Sequence, residues 1–187
     1  LTQRNVSAIW QRLPADLDSR IDACIRSGCE NVEPTHDVYV YFRADDVGAP
    51  GKQFARMLDL FRKYGVCLCL AVVPAWLTSE RWRYLKSFKK NRPSHWCWHQ
   101  HGWRHVNHEA EGKKHEFGNA RSRSQIKRDL RRGRYRLKRL MGEDFYPVFT
   151  PPWNRCSAKT LQALKDLGYA AISRSRGSKP SSPKGLP

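Results

Sequence analysis

Short apolar runs alternate along this chain with segments of helical period, and that alternation is its tightest constraint on a fold. The runs at 38–42, 66–73, 95–99, 147–149 and 169–173 are rich in β-branched and aromatic residues, as strands are. Between them, Phe54, Met57, Leu58 and Phe61 recur at helical spacing before Gly65, and Trp82, Leu85 and Phe88 do the same. A long helix is expected over 123–141 through Ile126, Leu130, Leu137, Leu140 and Met141, with Gly133 a weak point in it. Another carries Leu161, Leu164 and Leu167, opens at Ser157 and ends at Gly168. Strands apolar along their whole length, alternating with helices, predict a parallel α/β sheet covered by helices.

Three regions follow. Residues 1–37 read as a helical extension interrupted at Pro14, 38–173 as the main domain, and 174–187, rich in Ser, Pro, Gly and Lys, as a flexible basic tail. The opening Leu1-Thr2-Gln3-Arg4-Asn5 has no initiator Met and no signal core, so it reads as a trimmed end. A length of 187 residues suits one core, and no apolar run suits a transmembrane span. None of the six cysteines forms a Cys-x-x-Cys pair. Free thiols are therefore expected, with Cys67 and Cys69 as small hydrophobes of a strand. The thiols and the absent signal favour a cytoplasmic location. A net charge of +18 favours an anionic polymer as a partner, although a solvated basic surface accounts for it equally well.

The polar residues that could do chemistry fall where strands end: Asp45-Asp46, the loop from His99 to His108, and Pro151-Pro152-Trp153. Parallel α/β folds place active sites at that edge. Four of the seven histidines, His99, His101, His105 and His108, lie within ten residues. Two imidazoles and one carboxylate with a remaining open position make a catalytic metal centre rather than a structural one. A second carboxylate can accept a proton from a metal-activated water. Singly, each feature has a plainer use: Asp caps helices, and a loop histidine finds a hydrogen bond.

The ordered set resembles the NodB-like polysaccharide deacetylases (carbohydrate esterase family four), and the likeness runs from about residue 38 to 173. Phe42-Arg43-Ala44-Asp45-Asp46-Val47-Gly48 is similar to the family's Asp-Asp motif, with Val47 inserted before the glycine. His101-Gly102-Trp103-Arg104-His105 is similar to its His-(Ser/Thr)-x-x-His motif, with Gly102 in the hydroxyl position. Thr150-Pro151-Pro152-Trp153 is similar to its Arg-Pro-Pro-aromatic segment, with Thr150 replacing the arginine. The resemblance implies a distorted (β/α) barrel whose closure is left open by missing later strands. It implies a divalent metal, zinc first with cobalt or manganese as alternatives, held by Asp46, His101 and His105. It further implies Asp45 as base, the Trp153 backbone amide as oxyanion donor, and an N- or O-acetylated saccharide as substrate.

Two roles of the family lack their usual residue here. Arg43, Arg104 and Arg155 are the candidates for orienting Asp45 in place of the absent arginine. The family's acid is a histidine on a later strand that this sequence does not show: either the sequence is a fragment, or His99 or His108 supplies the acid, or the protein binds without turnover. Two other readings stand beside the deacetylase: an inactive metal-binding homologue, and a nucleic-acid-binding module. The second uses the ten Lys and Arg of 121–139 and the basic 81–92 segment.

Overall fold

The computed structural model describes residues 13–30, 39–88 and 96–187. The first expected helical turns, Val38, the 89–92 basic run and His95 lie outside the described residues. The chain divides into two compact units, Leu1–Val40 and Tyr41–Pro187. In the first, helix α1 (Leu17–Glu30) starts after Pro14 and buries none of its side chains.

The second unit is a five-stranded parallel sheet: β1 (Arg43–Val47), β2 (Leu68–Val72), β3 (Trp96–His101), β4 (Phe145–Thr150) and β5 (Ala171–Ile172), in that spatial order. Helices α2 (Lys52–Tyr64), α3 (Ser79–Ser87), α4 (Arg123–Met141) and α5 (Ala158–Asp166) make the crossovers. Sequential parallel order is the winding of a (β/α) barrel. Among the described residues the sheet stays open, with β1 and β5 as its edges. Side chains alone span the opening: Arg43 Nη1 donates to Ser173 Oγ at 2.7 Å, and Tyr41 Oη lies 3.4 Å from the same oxygen.

Local signals hold where the structure depends on them. Gly65 ends α2 in the left-handed region (φ 65°), and α4 opens with a capping box between Ser122 and Gln125. Three expectations are corrected. Pairing of the first strand begins at Phe42, whose carbonyl accepts Cys69 N, so β1 holds the charged Arg43, Asp45 and Asp46 while Tyr39, Val40 and Tyr41 stay exposed. Cys67 precedes β2 and is exposed, so it is no core residue. Gly133 is a close-packing position: a Cβ there would lie 2.2 Å from Gln100 Nε2 on β3.

The core forms two clusters. One gathers Leu58, Leu70, Trp82, Leu85, Trp98 and Leu137 beside β1–β3. The other gathers Phe117, Ile126, Leu130, Phe149, Leu161 and Leu164 beside β4. The 174–187 segment reaches this second cluster through the buried Leu186, and Ile172 N donates to Pro187 O at 2.8 Å. No helix of the described residues is long and apolar enough to cross a membrane.

Candidate metal centre

The carboxyl edge of the sheet is where the backbone is strained. Among the described residues, the non-glycine residues with positive φ are Asp46 (60°), His105 (60°), Trp153 (56°) and Asn154 (58°). Such conformations cost about 1–3 kcal/mol each and persist where the surroundings over-determine them. All four belong to one site.

Asp46 gets its direction from a bulge. The β1–β2 register shifts between Ala44 and Val47, so one extra residue sits at Asp45-Asp46, and a bulge re-aims side chains. Asp46 turns toward the histidines: its Oδ1 is 3.2 Å from His101 Nε2 and 3.1 Å from His105 Nε2. Asp45 turns to Arg43 instead, which donates from Nε to Oδ1 at 2.7 Å and from Nη2 to Oδ2 at 3.0 Å. Arg43 Nη2 also donates to Asn154 Oδ1 at 2.8 Å. Of the three candidate arginines, Arg43 is therefore the one that grips Asp45.

His101 ends β3 with its ring buried, and its Nδ1–H donates to Thr150 O at 2.9 Å. That bond fixes the tautomer and turns the Nε2 lone pair toward Asp46. Thr150 does not act on Asp45. Its carbonyl orients His101, and its Oγ1 meets His99 Nε2 at 2.8 Å. Buried His99 has its pKa pushed down to about 4 by desolvation, so it is a neutral supporting group at physiological pH. His105 stands between two indoles, with ring centroids 4.4 Å from Trp153 and 5.8 Å from Trp76, and burial lowers its pKa too. Contact with the His101 imidazole, above all, holds the Asp46 carboxyl below its ordinary value, which keeps it anionic.

One ligand atom from each of Asp46, His101 and His105 lies within 4.8 Å of the others. Three acceptors converging on one point repel each other until a proton or a cation sits among them. The donor set, with two imidazoles and one carboxylate, suits a divalent transition metal. His108 stands apart from this trio. It is exposed, its backbone N–H donates to His115 O, and the charges acting on its ring belong to Arg121, Asp129 and Glu109.

Two contributors to the site were not anticipated from sequence. Trp76 follows β2 in the Pro74-Ala75-Trp76 turn, and an indole two positions after a strand-ending proline was the available signal. Glu116 is buried, and it accepts from Trp103 N at 3.1 Å and Arg104 N at 2.6 Å. Nothing local in the sequence marks it.

Part of the basic segment is tied down. Arg121 pairs with Asp129 at 2.6 Å, while Arg123 and Lys127 converge on Asp166 at 2.7 and 2.6 Å. Arg134 donates to the carbonyls of Leu167 and Gly168, and Arg136 donates to those of Pro74 and Leu77. These cations close helix ends and turns of the fold.

Fold and site together define a parallel α/β protein with a candidate single-metal centre at the carboxyl ends of its strands. The polysaccharide deacetylase family matches residues 33–172, and the chain belongs to that family. No curated protein matches it by sequence. Among solved structures it is similar to the deacetylase PplD of Streptococcus pyogenes in complex with acetate (16% identity, TM-score 0.53, 80% of this chain and 62% of that one). It is similar to IcaB of Ammonifex degensii (15%, 0.58, 71% and 58%) and to a CE4 family pseudoenzyme of Bacillus anthracis (15%, 0.54, 76% and 48%). The chain thus spans about half to three fifths of the length of these proteins, and at such identities the likeness establishes the fold.

Proposed function

We propose that this chain is a metal-dependent deacetylase that hydrolyses N- or O-acetyl groups of a saccharide. The observation that carries the reading is the Asp46–His101–His105 trio with Asp45 fixed beside it by Arg43. Asp46, His101 and His105 would hold a divalent cation, zinc or alternatively cobalt or manganese. Bound there, the cation would supply Lewis-acid polarisation of the acetyl carbonyl and a more acidic water.

The remaining steps belong to the chain's own residues. Asp45 accepts the proton of the attacking water on a carboxylate oxygen. Arg43 holds both oxygens of that carboxylate in one orientation, so no rotamer search precedes the transfer. The Trp153 amide donates to the oxyanion that forms as the carbonyl carbon becomes tetrahedral, commonly the largest stabilising term in acyl transfer; collapse of that intermediate breaks the acyl C–N or C–O bond, and the sugar nitrogen or oxygen leaves with the proton that Asp45 accepted. Trp76 and Trp153 wall His105 and offer flat apolar faces on which a sugar ring can lie.

The test pairs metal content with acetate release from acetylated chito-oligosaccharides. Wild type retains about one metal per chain, and the His101→Ala, His105→Ala double variant retains none. Asp45→Asn keeps the metal and loses release by about 10²-fold or more, the range of a general base. Metal retained by wild type with no acetate released from amide or ester substrates would instead make the chain an inactive metal-binding homologue.

A further inference from the structure

His101 and His105 are four residues apart but do not share a helix, so something other than helical periodicity must fix their relation. Between them Gly102 takes φ +62° and His105 takes φ +60°. This pair of left-handed residues curls the intervening backbone so that its N–H groups point inward. The Glu116 carboxylate sits in that curl. It accepts from Trp103 N at 3.1–3.2 Å and from Arg104 N at 2.6 Å, and the His105 backbone amide hydrogen-bonds to it as well. Successive amides arranged this way form an anion-binding nest. Glu116 is 1% exposed, and no Lys or Arg pairs with it among the described residues' ion pairs. The amides therefore provide most of its compensation, and a buried carboxylate gains nothing there unless the turn keeps this shape.

The fit is mutual. A Cβ on Gly102 would lie 2.0 Å from Glu116 Oε2 and 2.6 Å from Pro152 Cγ. A side chain at 102 and the carboxylate of 116 cannot share the space. Where the family's motif has a hydroxyl residue in the His-to-His turn, this chain has a glycine and brings a carboxylate from 14 positions further on. The residue after Glu116 anchors it. Phe117 is fully buried, its carbonyl accepts Ser157 N at 3.0 Å and Thr160 Oγ1 at 2.8 Å, and it bridges to Cys156. The seat of the histidine turn is thus tied to the segment that carries Trp153.

We propose that Glu116 is a positioning residue of the metal centre, whose carboxylate holds the 102–105 turn so that His105 Nε2 faces His101 and Asp46, with Gly102 as its obligate complement. This rests on the metal-centre reading above. The test is cobalt(II) titration of the metal-free protein, followed by the d–d absorption of the bound ion and by calorimetry. Glu116→Gln, which keeps the shape but weakens acceptance from three amides, lowers affinity about 10–100-fold and shifts the absorption band, as changes behind ligating histidines do. Gly102→Ala, with Glu116 intact, produces the same two effects by displacing the carboxylate, and it decides the matter if Glu116→Gln does not fold by circular dichroism. Glu109→Gln, on the same segment but bonded to Ala120 N, leaves both readouts unchanged. Affinity within threefold of wild type and an unshifted band in a folded variant overturn the positioning role while leaving the metal centre standing. If wild type itself binds no cobalt that the His101→Ala, His105→Ala variant loses, both fall together.

Discussion

The carboxyl edge of the sheet and helix α4 hold most of this chain's polar chemistry, and they are built on opposite terms. At the edge, four non-glycine residues sit in left-handed conformations, two histidines are buried, and one aspartate is gripped by an arginine across β1. Helix α4 is a regular 19-residue helix with a capping box, and four of its cations, Arg123, Lys127, Arg134 and Arg136, are matched to carboxylates and carbonyls of neighbouring elements. Regularity costs little and needs no function to maintain it. Strain persists only where a particular geometry is being held. Part of the loudest signal in the sequence, a net charge of +18, is thus structural at α4, whereas the quieter Asp and His pairs mark the candidate site.

The largest effect that separates the two regions is expected at Arg43. Arg43→Ala frees Asp45 and removes the ties to Asn154 and Ser173. Acetate release should fall about 10²–10³-fold, equivalent to about 3–4 kcal/mol of lost transition-state stabilisation. Metal content should stay at wild-type level, because Arg43 touches none of the three ligands. Arg43→Lys should recover only part of the loss, since an ammonium cannot grip both carboxylate oxygens as a planar fork does. Release within fivefold of wild type in Arg43→Ala would show that Asp45 needs no such partner.

What was legible in the sequence follows the same division. The bounds of α4 and the Gly65 cap were readable because helix period and caps are local. The grouping of Asp46, His101 and His105 was readable as an ordered pattern of Asp and His at strand ends, with their ligand role implied by the family resemblance. Strand β1 was misplaced because the aromatic 38–42 run looks like a strand, while Arg43 and Asp46 look like a turn. Their place in the ladder depends on Arg43 closing on Asp45 and on a bulge, and neither appears in a hydropathy pattern. Arg43 stayed one of three candidates for the same reason. Glu116 was illegible because its partners are backbone amides 11–13 positions away, and a backbone amide has no residue type. Gly133 read as a defect because its neighbour, Gln100, is 33 positions off.

A middle-sized effect should appear in the pH dependence of stability. His99 carries a folded pKa of about 4, against about 6.5 when unfolded. Between those values the unfolded chain binds the proton and the folded one does not, so stability rises with pH across the window. The contribution is fully present above about pH 6.5 and lost as pH falls toward 4, about 3 kcal/mol in all. Urea unfolding of metal-free wild type and His99→Gln at pH 7 and pH 4 isolates it, because both share the other acid-sensitive groups. The variant should lose less stability than wild type on acidification, and parallel losses would remove His99 from the account.

The smallest effect belongs to the cations of α4 that face outward. The side chains of Arg131, Arg132 and Lys138 have no hydrogen bond or ion pair among those found for the described residues, unlike Arg134 and Arg136 on the same helix. Replacing all three with glutamine should move unfolding free energy by under about 0.5 kcal/mol per site and leave acetate release unchanged. Arg136→Ala should cost more, because the Pro74 and Leu77 carbonyls lose charge-assisted donors beside the Trp76 turn. The contrast within one helix is the informative part. If the outward triple variant instead lost acetate release on an anionic acetylated polymer while keeping it on a neutral one, the basic face would be a substrate surface. The division between a structural helix and a chemical edge would then have to be redrawn to include it.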